Sequence, residues 1–117
     1  MLDPDDVVRS LAVACQQREI DALRAALDGH ALGVCDSAGL LPGMPDTVQG
    51  PNAVAQLLAT LCWQPDTEVT IEAVNGQPGL AVRCAGRAVA VIDVLVAEQV
   101  VLWIVINPAK LNAWHHR

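Results

Sequence analysis

The chain has 117 residues, with thirteen acidic against seven basic side chains and a formal net charge of −6. The bases (Arg9, Arg18, Arg24, Arg83, Arg87, Lys110 and Arg117) are scattered, whereas nucleic acids and anionic membranes are bound by clustered positive charge, so both are excluded as partners. Hydrophobic residues make up 53% of the chain, which excludes disorder, and the lack of Tyr excludes any chemistry that needs a phenolic hydroxyl.

A helix is expected from Asp3, with Asp3 as cap, Pro4 in the first turn and Asp5 and Asp6 complementing the dipole. Val7, Val8, Leu11, Ala12 and Cys15 recur at helical spacing and form its buried face. Gln16-Gln17-Arg18 is a polar break. A second helix follows over about Glu19 to Leu27, ended by Asp28-Gly29. His30, just after that end, suits the helix C-terminus. Ala31 to Cys35 reads as a strand with a turn at 36–39, and Leu40 to Gly50, with Pro42, Gly43 and Pro45, as a loop. Pro51 starts a third helix with Val54, Leu57, Leu58, Leu61 and Cys62 as its apolar stripe, and Pro65 closes it.

The remainder reads as strands: Thr67 to Val74, Leu80 to Cys84, Arg87 to Val96 and Val100 to Ile106. Asn75-Gly76, Ala85-Gly86 and Glu98-Gln99 separate them, and such short links imply an antiparallel meander. The fold class is α+β, helices packed in a strongly curved antiparallel sheet, in one domain over 1–117. Val100 to Ile106 and Ala88 to Ile92 do not alternate polar with apolar residues, as a half-solvated strand should. Something must cover each of their faces. Helices suit one, and a second copy of the chain is the simplest cover for the other, so a homodimer is expected.

Cys15, Cys35, Cys62 and Cys84 show no Cys-x-x-Cys spacing and lie in apolar stretches, as reduced core thiols do. The acidic start, Met1 to Asp6, carries no apolar signal segment, and 88–106 is interrupted by Asp93, Glu98 and Gln99. A cytoplasmic location is therefore expected. No metal and no cofactor are implied, since no Gly-rich phosphate loop is present and His115-His116 at the chain end makes no metal site.

Several strings in this order resemble the SnoaL-like domain at the C-terminus of extracytoplasmic-function sigma factors. They are Leu23 to Leu27, Gly50 to Val54, Val74-Asn75-Gly76-Gln77-Pro78-Gly79-Leu80, Gly86 to Val91, and Asn107-Pro108-Ala109-Lys110-Leu111. The resemblance implies a nuclear-transport-factor-like, cystatin-like cone with a pocket at its open end. It also implies a regulatory role for the C-terminal motif Asn107, Pro108, Lys110 and Leu111. The family pattern there is Asn-Pro-Asp-Lys-Leu, so Ala109 removes an acid and an ion pair within the motif, which favours packing by Leu111 and Trp114. Asp36 to Leu41 departs from the family's Asp-Gly-Gly-Gly-Lys type of string. The chain opens directly on this module, so it is not expected to act as a sigma factor by itself unless it is part of a longer product.

Asp93 is the only charge between Arg87 and Glu98. An inward carboxylate loses the water that stabilises its charge, and burial of that kind tunes a general base towards neutral pH. Related cone enzymes, epoxide hydrolases and polyketide cyclases, imply the candidate catalytic set Asp93, Asp36 and Arg83. The plainer reading makes Asp93 the partner of a polar neighbour and Asp36 a turn residue. Trp63 and Trp103 are candidates to line an apolar ligand pocket, or else core or interface residues. Three functions remain open. The first is a small-molecule-binding or regulatory SnoaL-like homodimer without an identifiable catalytic set, whose ligand is small and apolar. The second is a pocket enzyme, an isomerase, cyclase or epoxide hydrolase. The third is a protein-interaction module.

Overall fold

The computed structural model describes residues 4–27, 31–36, 47–96, 99–106 and 108–111. Helix α1 (Pro4–Gln17) buries Val7, Val8, Leu11, Ala12, Ala14 and Cys15 along one side, which is the expected periodicity with Ala14 added. It stops where Arg18 adopts a left-handed φ of 56°. Two reversed bonds seal that end, from the Glu19 N–H to the Ala14 carbonyl at 3.1 Å and from the Arg18 N–H to the Cys15 carbonyl at 3.3 Å. Helix α2 (Ile20–Leu27) buries Leu23 and Leu27. Helix α3 (Pro51–Cys62) buries Val54, Ala55, Leu58 and Cys62, and the three helices pack on one another. The expected caps at Asp3 and Gly29, and His30, lie outside the described residues.

Strands β1 (Ala31–Asp36), β2 (Thr47–Gln49), β3 (Thr67–Val74), β4 (Gln77–Cys84), β5 (Arg87–Val96) and β6 (Val100–Val105) form one sheet in the order β2-β1-β6-β5-β4-β3. β3 to β6 make the antiparallel meander expected from their short links. β1 runs parallel to β6, Ala31 opposite Val100 through Asp36 opposite Val105, so the sheet is mixed rather than wholly antiparallel. A parallel pair needs a long crossover, and the chain between these strands supplies it. In the stretch expected to be a loop, Thr47–Gln49 pairs with β1 as a short edge strand.

The hairpins β3–β4 and β4–β5 turn on Asn75-Gly76 (φ 52° and 80°) and Ala85-Gly86 (φ 52° and 85°). Both central positions of each turn are left-handed, the geometry that matches strand twist. Alanine is strained there, whereas asparagine tolerates it. Ala85→Asn is therefore expected to stabilise the protein by about 0.5–1 kcal/mol. A lower melting temperature for this variant would contradict the turn assignment.

The two sheet faces explain the missing alternation. On the inner face Val69, Leu80, Val82, Ala90, Ile92, Val94, Leu102 and Ile104 join the helices in the main core. On the outer face Val74, Ala88 and Val91 form a second cluster with Leu111 of the short helix α4 (Pro108–Leu111), and Val105 packs against it. Leu111 is thus buried by the chain's own tail folding back, as the C-terminal motif suggested. Asn107 and Trp114 lie outside the described residues. Between the two clusters the register of β4 on β5 shifts at Val82/Arg83, and the extra residue Val89 packs towards the main core. A bulge of this kind bends the sheet.

Candidate ligand site on the outer sheet face

Strand register places the site. Glu72 faces Gly79 across β3–β4, Gly79 faces Asp93, Asp93 faces Trp103, and Trp103 faces Val34. Directly opposed residues share a face, so these five form one row across the outer surface. The neighbouring row runs Thr70, Ala81, Val91, Val105 and Asp36. Asp93 therefore points away from the helices, because its neighbours Ile92 and Val94 fill the main core.

Asp93 is nonetheless buried, with 9% of its surface exposed. The turn residue Asn75 donates its side-chain amide to Asp93 Oδ2 at 3.2 Å. Among the described residues, Asp93 Oδ1 is buried without a hydrogen-bond partner. Most buried polar groups are paired, so a bare carboxylate oxygen needs an explanation. Asp93 is one of the residues lining a pocket of about 250 Å³, with Val74, Asn75, Val91, Trp103, Val105 and Lys110. Valines form the walls, the Trp103 indole is 44% exposed, and Lys110 reaches over from α4.

The other two candidates are placed differently from one another. Asp36, at the end of β1, does not line this pocket but accepts from Lys110 Nζ, which does, at 2.6 Å. Arg83 shares the outer face, but its Nη2 donates to Glu72 Oε1 at 3.0 Å and its Nη1 to Thr70 Oγ1 at 3.1 Å, with a further contact between Nη1 and Glu72 Oε2. Bonding to Glu72 pushes the Arg83 guanidinium further above its ordinary value, against the opposing effect of burial. Glu72 and Asp93 flank Gly79 from opposite sides, about 10 Å apart by strand spacing. Arg83 is thus held towards β3, while Asp36 is held by Lys110 and Asp93 by Asn75.

Trp63 and Trp103 lie on opposite sides of the sheet. Trp63 caps α3, packs against the main core and donates its indole N–H to the Cys15 carbonyl at 3.0 Å. Beside it the thiols of Cys15 and Cys62 meet. The hydrogen bond from Cys62 lowers the Cys15 thiol below its ordinary 9.0 despite burial, while the same bond and burial push Cys62 up. The four cysteines are unbridged, Cys84 being the least buried. Among the described residues no His, Cys, Asp and Glu cluster could hold a metal ion, and no helix is long and apolar enough to cross a membrane.

Asn75 and Glu72 escaped notice as site residues in the sequence. Asn75 carries turn chemistry that masks its second role. Glu72 was visible only through register: the Asn75-Gly76 turn sets Glu68 opposite Arg83, two inward–outward periods from Glu72.

No protein-family model and no curated protein matches this sequence. Solved structures do. The extracytoplasmic-function sigma factor SigJ of Mycobacterium tuberculosis superposes with a TM-score of 0.67 at 20% identity, over 93% of this chain and 44% of the sigma factor. The chain therefore spans less than half of that protein. A loop-truncation variant of IdmH gives a TM-score of 0.64 at 14% identity, over 96% of this chain and 98% of the other. An epoxide hydrolase of M. tuberculosis gives 0.52 at 14% identity, over 94% and 86%. The fold is the SnoaL-like, nuclear-transport-factor-like cone, α+β, as the sequence strings implied.

Proposed function

We propose that this chain is a small-molecule-binding SnoaL-like protein of the cytoplasm that works as a homodimer and whose ligand site is the outer-face pocket. The observation that carries this reading is Asp93, whose buried Oδ1 has no partner among the described residues and which lines a cavity walled by valines and one open indole. Ligand sites have this character: apolar walls and a few polar groups that fix orientation. Two other cavities are larger, about 510 Å³ between α1 and α2 and about 340 Å³ beside Cys15, Cys62 and Val69, but among the described residues neither is lined by a buried polar side-chain atom that lacks a partner. Dimerisation is supported by the same face, where Leu95 (39% exposed) and Trp103 remain open beside half-buried Val101, Leu32 and Val34. The unbridged cysteines favour a reducing compartment.

The enzyme reading draws on Asp93, Asp36 and Arg83 acting together, and the commitment of Arg83 to Glu72 gives it less support. The experiment is a thermal-melting screen against a diverse small-molecule set, run on the native protein and on Asp93→Asn, with light scattering at micromolar concentration. Ligands that raise the melting temperature of the native protein but not of Asp93→Asn, on a dimer, are expected. Ligands that stabilise both equally would move the site elsewhere, and a monomer at every concentration would remove the dimer.

A further inference from the structure

Resting on that pocket assignment, we infer that its ligand is a small organic cation, a primary alkylammonium or alkylguanidinium whose head sits on Asp93 and whose stem lies against the valine wall. Three observations lead there. The first is the bare oxygen. Asp93 Oδ2 has the Asn75 amide, whereas Oδ1 is a buried acceptor to which nothing among the described residues donates. A carboxylate accepts only, so the missing partner is a hydrogen-bond donor, and a charged donor makes the stronger bond.

The second is the indole. Trp103 stands directly opposite Asp93 in the antiparallel pair and is 44% exposed. An indole face beside a carboxylate attracts a cation by its ring quadrupole while the carboxylate takes the charge.

The third is the charge count. Lys110 lines the pocket, but its Nζ is held at 2.6 Å by Asp36. With Lys110 engaged by Asp36, the Asp93 carboxylate has no cationic partner among the described residues, and a ligand cation would supply one. Val74, Val91 and Val105 offer only apolar contact, which suits a short alkyl stem. The cavity, about 250 Å³, falls below the roughly 300–1,000 Å³ of drug-sized sites, so the ligand is small.

The test uses matched probes on the whole chain by calorimetric titration: n-butylammonium and n-butylguanidinium, with n-butanol as neutral isostere and butyrate as anion. The cations are expected to bind about ten- to a hundredfold more tightly than n-butanol. Asp93→Asn is expected to abolish that preference, and Trp103→Leu to weaken cation binding severalfold with the fold intact by melting. Equal binding of n-butanol and the cations would overturn the ligand class but leave the pocket standing. No binding of any probe would overturn the cation assignment. If ligands from the unbiased screen also failed to depend on Asp93, the pocket itself would fall. Dissociation of the dimer by n-butylammonium would mean that a basic side chain of a second copy fills the site, and would likewise overturn the small-ligand assignment.

Discussion

Gly79→Ala is expected to destabilise the protein by about 3 kcal/mol, the upper end of the usual range for overpacking. A Cβ at Gly79 would stand 2.5 Å from the Ile92 carbonyl oxygen and 2.6 Å from Val74 Cγ2. The first is backbone of the adjacent strand and cannot swing aside. Val74 cannot yield freely either, because it belongs to the outer cluster beneath α4. Gly79 also sits between Glu72 and Asp93 in their row, so the strand shift that relieves the clash would disturb the ligand site too. Gly33 is the matched control. A Cβ there meets Val54, Leu57 and Ile104 at 3.7 to 3.8 Å, ordinary contact distances. Gly33→Ala is expected to be neutral or to stabilise by up to about 1 kcal/mol, since glycine in a strand carries extra conformational entropy. Urea unfolding of the two variants checks the pair, and similar midpoints would contradict the packing described.

Glu72→Ala is the second large effect. It leaves the Arg83 guanidinium, whose side chain is 5% exposed, without its carboxylate. Removing one member of a buried pair typically costs about 3–5 kcal/mol. Glu72 is itself 32% exposed, so water can replace part of the lost bond, and about 2–3 kcal/mol is expected here. Replacing both partners, Glu72→Ala with Arg83→Met, should recover much of the loss, because the apolar pair leaves no buried charge. A double variant less stable than Glu72→Ala alone would show that Arg83 is held chiefly by other groups. Catalytic involvement of Arg83 would instead appear as loss of function in the stable double variant.

Local chemistry made much of this fold legible. Helical spacing marked the buried faces of α1 and α3, and Asn75-Gly76 and Ala85-Gly86 marked both tight hairpins. The parallel pairing of β1 with β6 was not legible, because Gly33 and Leu102 come together only through the long-range closure of the sheet. Thr47–Gln49 was missed for a related reason: three residues on an edge carry no periodicity of their own.

The site was half legible. Asp93 stood out as a lone charge in an apolar strand, but the side it faces depends on register and on the bulge at Val82/Arg83. One shift of register exchanges the faces of a strand, so a reading that places Asp93 inside the cone and one that places it outside differ by a single residue. The uninterrupted apolar run of β6 reflected two real covers, the helices on one face and, in part, α4 on the other. Lys110 was marked by its motif, yet its partner Asp36 lies 74 positions away in the chain.

The placement of the ligand site on the outer face has built-in reporters, because Trp63 and Trp103 lie on opposite sides of the sheet. Indole N–H resonances in nitrogen-15 spectra, assigned with Trp63→Leu and Trp103→Leu variants, should be followed while a ligand found by the melting screen is titrated in. The Trp103 signal and the Asn75 side-chain amide should shift together along one binding curve while the Trp63 signal stays in place. A ligand that moves the Trp63 signal and leaves Trp103 and Asn75 unchanged would put the site on the helix side and contradict the account.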